Sequence, residues 1–262
     1  MTDIKKMKYD VSIIIPSIRI QNLPKIYFMI EKAIEYFNFE LIVVGPHSIS
    51  DSLWSKENVR FIKDFGCPSR CVQLASAVSE GKYLAWLSDD CTFMNPNSLA
   101  QCITLLEEKN NIKNAVCLRY FEGEGSGEFE QGYWRAKHHG DMKSLDGIPE
   151  NYNIAPLAMY NVEYFKQIGG LDCRFNHINL CTHDLAFRLQ NDNGKIFLSP
   201  QTVARFYWSW ITSDATPIQK AYFEVDAPLF KDMWDKDQSN RIKIDYNNWT
   251  DQESKWSLRF GK

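Results

Sequence analysis

The chain has no run near the ~20 consecutive apolar residues that a membrane-crossing helix needs. Its opening stretch, Met1–Lys6, lacks the apolar segment of a secretory leader. The expectation is a soluble, cytoplasmic protein, with contact at the cytoplasmic face of a membrane left open. A basic excess is missing as well: 30 Lys and Arg stand against 33 Asp and Glu, so no global field favours a nucleic-acid partner. The seven cysteines, at 67, 71, 91, 102, 117, 173 and 181, form no paired framework. No nearby histidine completes a zinc site around Cys67 and Cys71, so reduced, buried thiols are expected. A glycine-rich fingerprint is absent after the first strand, where Pro16-Ser17-Ile18-Arg19 stands instead. That sets aside a dinucleotide-dependent oxidoreductase. No internal repeat is visible.

Apolar and aromatic residues are plentiful, at 44% and 14% of 262 residues, enough for one large domain with a real core. Val11–Ile15, Leu41–Val44, Val59–Ile62, Ala115–Tyr120, Ala155–Tyr160 and Ile196–Leu198 read as buried strands. Helical spacing predicts helices over 22–37 and 70–79, the latter capped by Ser69. A third follows Asn95-Pro96, a fourth runs through Phe165, and a fifth starts near Thr182 and stops at Gly194. This alternation points to an α/β sheet with right-handed crossovers. Glu122–Glu128 reads as a solvated loop, and 129–152 as irregular.

The most informative stretch is Gly81–Cys91. Tyr83–Leu87 is a short strand apolar on both faces, as in the centre of a parallel sheet. It delivers Ser88, Asp89 and Asp90 to its C-terminal end, where open α/β sheets bind ligands. Adjacent carboxylates repel unless a cation or hydrogen-bond donors compensate them. A metal-bound, phosphate-bearing ligand satisfies that need.

Seven segments in order then resemble one family, the inverting glycosyltransferases of the GT-A fold, most closely family 2. They are Val11–Ser17, Glu40–Val44, Ser69–Gln73, Gly81–Asp90, Ala155–Tyr160, Gly169–Phe175 and His183–Leu189. The resemblance covers roughly 10–207. It implies a Rossmann-like mixed sheet flanked by helices, in a core spanning 1–207. Residues 10–120 would bind the nucleotide and 121–207 the acceptor, with 208–262 as an extension packed on the core. It further implies a nucleotide-sugar donor, usually a UDP-sugar, a divalent cation (Mn2+ or Mg2+), and a glycan or other hydroxyl acceptor, as in polysaccharide biosynthesis.

By the same resemblance, Pro16, Ser17 and Arg19 lie beside the nucleoside, and Arg70 contacts the nucleotide. Ser88, Asp89 and Asp90 match the Asp-X-Asp signature, with Asp90 the first choice of metal ligand and Asp89 its helper. His183 and Asp184 fall in the acceptor-side motif. Some places differ from the family pattern. Ser88 fills the first acidic place, Gly45-Pro46 stands where an acid usually holds the base, and Cys181-Thr182 replaces an acidic pair. Arg205 lies near the position of a metal-binding histidine and could neutralise a phosphate.

An inverting transfer needs a base for the acceptor hydroxyl. Asp184, read as lying in the first turn of its helix, is the candidate, with Asp172 in reserve; capping or pairing with Arg188 is the alternative role. A surface ion pair is the alternative role for Arg70, with the nucleotide contact preferred, and His183 could equally serve an ordinary hydrogen bond. His138-His139 reads as a polar loop, and Trp208 and Trp210 as either acceptor-stacking or core residues. A non-catalytic protein of the same fold is the rival reading.

Overall fold

The structure, a computed structural model, describes residues 7–123, 129–131, 135–207 and 216–249. In chain order the elements are β1 (Tyr9–Pro16), α1 (Leu23–Ile34), β2 (Phe39–Gly45), α2 (Asp51–Trp54), β3 (Val59–Lys63), α3 (Pro68–Val78), β4 (Gly81–Trp86) and β5 (Cys91–Met94). There follow α4 (Ser98–Lys109), β6 (Ala115–Glu122), β7 (Phe129–Gln131), β8 (Ala158–Asn161), α5 (Val162–Gln167), α6 (Ile178–Asn191), β9 (Ile196–Phe206), α7 (Thr216–Ala221) and α8 (Ala227–Trp234).

The strands form one mixed sheet in the order β3-β2-β1-β4-β8-β6-β9-β5, with β7 on β6. The first four run parallel, and β8 enters antiparallel between β4 and β6. β1 shows why the continuous apolar runs are strands. Side chains alternate between faces, so Ile14 joins the core on one side and Ile13 and Ile15 the core on the other. Helices α1 and α4 contribute Ile26, Ile30, Leu99 and Ile103 to the second core. The first core takes Val72 and Ala75 from α3, Phe165 from α5, and Leu185, Phe187 and Leu189 from α6. All seven cysteines are free and buried. Burial pushes the Cys67 thiol up to about 11 and Cys102 to about 12, which keeps both inert.

Several boundaries move from their predicted places. α3 starts two residues earlier, with Cys67 in the cap position and Pro68 at the first helical place. α4 starts at Ser98, behind a left-handed Asn97. α6 starts four residues earlier, at Ile178, because the His177 ring nitrogen accepts the Asn179 N–H at 3.1 Å and acts as the cap. Asn193, not Gly194, takes the left-handed stop after it (φ 63°). β9 continues from Leu198 to Phe206 despite Pro200, and β5 pairs with its far edge. Residues 216–249 lie against the core: Phe230, Met233 and Trp234 are buried in it, and Gln73 donates to the Tyr246 carbonyl at 2.9 Å. No helix of the described residues is long and apolar enough to cross a membrane. Trp208, Trp210 and most of the glutamate-glycine loop at 122–128 lie outside the described residues.

Candidate functional site

A cavity of about 410 Å³ opens at the C-terminal ends of β1, β2 and β4. Parallel strands leave a crevice there, where connecting loops diverge to opposite faces of the sheet. Pro16, Ser17, Ile18 and Arg19 form one wall, and Gly45-Pro46 form the next. Ser88, Asp89 and Asp90 lie together below them. Glu122, Phe206, Tyr207 and three histidines, His139, His177 and His183, close the other side. Ile218 and Gln219 of α7 add a rim.

The two neighbouring acids have different jobs. Asp89 is saturated with donors. Its Oδ2 accepts from the Ser17 hydroxyl (3.1 Å) and from the backbone N–H groups of Ile18 (2.9 Å) and Arg19 (2.8 Å). Its Oδ1 accepts from the Arg19 guanidinium at 2.6 Å. This carboxylate therefore shapes the turn after β1, and its oxygens are already engaged. Asp90 is the opposite. Its Oδ1 is buried with no hydrogen-bond partner among the described residues. Burial raises its pKa from 3.8 to about 6, opposed by a hydrogen bond from Ser88 and reinforced by the charge of Asp89. A buried, unpartnered carboxylate oxygen in a residue that lines a cavity is the donor a hard cation takes. Asp90 fits the implied metal; Asp89, expected to help directly or through ribose or water, has both oxygens engaged by the turn after β1. No three His, Cys, Asp or Glu converge on a metal position among the described residues, so most ligands of a cation here would come from water or substrate oxygens.

Gly45 determines how closely the two walls meet. A Cβ at this position would lie 1.9 Å from the Ser17 carbonyl oxygen. Any larger residue would push β2 away from the Ser17–Arg19 turn.

Four residues expected at the site fall outside the cavity lining. Arg70 is buried and grips Asp64, Nη2 to Oδ2 at 2.8 Å, while its guanidinium also lies over the Trp249 ring and donates to the Trp249 carbonyl. Gly66 and Cys71 reach the cavity near it; Arg70 does not. Its expected nucleotide contact is replaced by a structural one. Asp184 lies in the second turn of α6, not the first, and is fully buried. Arg188 Nε lies 2.8 Å from its Oδ2, while the Trp234 indole (3.2 Å) and Arg241 (3.3 Å) donate to Oδ1. Asp172, the reserve, is held below its ordinary pKa by Arg174, against the cost of burial, and also pairs with Arg241 at 3.3 Å. Neither carboxylate lines the cavity, and both are engaged in ion pairs instead of facing it. Arg205 lies over the Phe121 ring and does not line the cavity either.

His183 does line the cavity, 1% exposed, with its Nδ1 unpartnered. Burial, with His139 and His177 nearby, lowers its pKa to about 3, so the ring is neutral. His177 is lowered to about 4 by burial alone. Glu122, His177 and the α7 rim escaped the sequence reading. The signal for Glu122 was its place at the end of a buried strand, masked by the glycines that follow.

No protein-family model matches the chain, and no curated protein matches it. The fold does match solved structures. One is the mannosyltransferase PcManGT from Pyrobaculum calidifontis in complex with GDP-Man and Mn2+, at TM-score 0.53 and 12% identity. That match covers 81% of this chain and 61% of the other. Another is GalNAc-T7 with UDP, GalNAc and Mn2+, at TM-score 0.59 and 13% identity, covering 86% of this chain and 49% of that one. The chain therefore has the GT-A fold, and it spans about half to three-fifths of the length of these neighbours.

Proposed function

We propose that this chain is a glycosyltransferase, moving a sugar from a nucleotide-sugar donor to a hydroxyl of a glycan or similar acceptor. The observation that carries the reading is Asp90 Oδ1, buried and unpartnered at the end of β4 in the cavity. The GT-A fold and the nucleotides and Mn2+ bound by the two neighbours support it. A divalent cation at Asp90, Mn2+ or Mg2+, supplies Lewis-acid stabilisation to the diphosphate leaving group. Pro16, Ser17 and Arg19, with Gly45-Pro46 opposite, cradle the nucleoside, and Asp89 holds their turn in shape. A UDP-sugar is the donor we put first, on the family-2 resemblance; GDP-sugars are the comparison to run beside it.

Inverting transfer requires a proton acceptor near the acceptor hydroxyl. With Asp184 and Asp172 engaged in ion pairs, His183 takes this place in our reading. Its ring is neutral, and an anionic donor beside it favours the protonated form. The experiment is a donor-consumption assay with UDP- and GDP-sugars, scored for both transfer and hydrolysis. Consumption that needs a divalent cation supports the reading. A second reading, a non-catalytic binder of sugar nucleotides, is favoured by the withdrawal of both acceptor-side carboxylates. Tight nucleotide binding with no turnover of any donor would select it.

A further inference from the structure

Glu122 ends β6 and lines the same cavity as Asp90. The sheet explains how residues 32 positions apart in sequence come to line one cavity. Glu122 is in register with Phe206 of β9, and Phe206 with Cys91 of β5, the residue after Asp90. Two strand spacings of ~4.8 Å separate those rows, a gap that an Asp and a Glu side chain can close from either side. The Tyr207 N–H donates to the Asp90 carbonyl at 3.0 Å, fastening the loop that carries Asp90 to the end of β9. The charge of Asp90 acts on Glu122.

This corner holds two carboxylates and little to offset them. Among the described lining residues Arg19 is the sole Lys or Arg, and its guanidinium is on Asp89. Asp90 Oδ1 is buried without a partner, in a residue 8% exposed. An acidic pair alone would be an ordinary feature. An orphaned buried oxygen in one of the two acids adds a donor that a cation would satisfy.

We propose that Asp90 and Glu122 together hold one divalent cation, with Glu122 supplying the second protein oxygen that Asp89 is not free to give. This rests on the donor-binding reading above and deepens it. Two carboxylates leave coordination positions for diphosphate oxygens and water, the arrangement hard cations adopt with phosphate substrates. Ser88, in the first acidic place of the signature, then needs no replacement on its own strand. The second acid comes from β6.

The test is Mn2+ binding to the nucleotide-free protein, followed by loss of the free Mn2+ signal in electron paramagnetic resonance, and repeated with UDP. Glu122→Gln is expected to weaken Mn2+ at least fivefold with an unchanged melting temperature, and Asp90→Asn by more. A loss under fivefold in Glu122→Gln, with Asp90→Asn still defective, overturns the role of Glu122 and leaves the Asp90 site standing. No Mn2+ binding by the unaltered protein, with or without UDP, overturns both. Should Glu122→Gln fail to fold, Glu122→Asp carries the test. The shorter acid keeps the charge and is expected to bind Mn2+ at least threefold more weakly; a smaller loss overturns the proposal.

Discussion

Asp184 and Arg188 form an ion pair one helical turn apart, at 2.8 Å, with both side chains fully buried. Arg188 also donates to the carbonyls of Ile168 (2.8 Å) and Gly170 (2.5 Å), so the pair fastens α6 to the turn after α5. Breaking such a pair from one side leaves an uncompensated buried charge, at a cost of about 3–5 kcal/mol. Asp184→Asn is therefore expected to lower the unfolding free energy measured in urea by an amount in that range and to move the midpoint down with it. A midpoint equal to the parent's, together with lost sugar transfer, would return Asp184 to the role of base.

The Asp89 hub separates two substitutions that look equivalent in sequence. Arg19→Ala removes one of four bonds to the carboxylate and is expected to cost about 1–2 kcal/mol, while Asp89→Ala strips all four and should cost about 3 kcal/mol or more. Nucleotide affinity should follow the same order in titration calorimetry. Equal effects would mean that the guanidinium, and not the turn, is what the site requires.

Gly45→Ala tests the wall opposite. The added methyl meets backbone at 1.9 Å, so β2 or the Ser17 turn must shift, at about 1–3 kcal/mol by the usual cost of overpacking. Thermal unfolding should show that loss, and UDP affinity should drop at least tenfold. Unaltered affinity would place the nucleoside elsewhere in the cavity.

The histidines and Asp90 give the stability a defined pH dependence in chelator-treated protein. His177 and His183 are lowered from 6.5 to about 4 and about 3. Below pH 6.5 the unfolded chain binds two protons that the folded one refuses, so stability falls as pH falls. Asp90 works the other way: its folded value of about 6 exceeds 3.8, so between those limits its protonation favours the fold as pH falls. At about 1.4 kcal/mol per pH unit per group, two histidines outweigh one carboxylate. Between pH 6 and 4 the net loss should be on the order of 1 kcal/mol per unit. Denaturant unfolding at a series of pH values checks this; stability rising toward pH 4 would contradict the burial of the two rings.

The central sheet was legible because β1, β2, β4 and β6 are apolar on both faces, a pattern that only burial explains. The far edge was not. β9 runs through Ser199, Pro200, Gln201 and Thr202, and its order comes from pairing with β6 and β5, not from local pattern. The start of α6 was hidden for a related reason, since a histidine ring does the capping in place of Ser, Thr, Asp or Asn. That four-residue shift moved Asp184 from the first turn to a buried second one. Within the site, Ser88–Asp90 was readable from strand chemistry alone. Arg70, Asp172 and Asp184 each have a partner close in sequence (Asp64, Arg174 and Arg188), but the distant ones could not be read: Trp249 reaches Arg70, and Arg241 reaches both acids. Glu122 went unseen because its neighbour across the sheet edge, Asp90, is visible only once β9 and β5 are in register.

Asp90 and the cation it is proposed to hold are the centre of the proposed site. The direct measurement is titration calorimetry of UDP and GDP, with Mn2+ and with chelator, on the unaltered protein and on Asp90→Asn. The prediction is that Mn2+ tightens binding of at least one nucleotide tenfold or more, and that Asp90→Asn abolishes the gain. Nucleotide binding indifferent to Mn2+, or a full Mn2+ effect in Asp90→Asn, would contradict it.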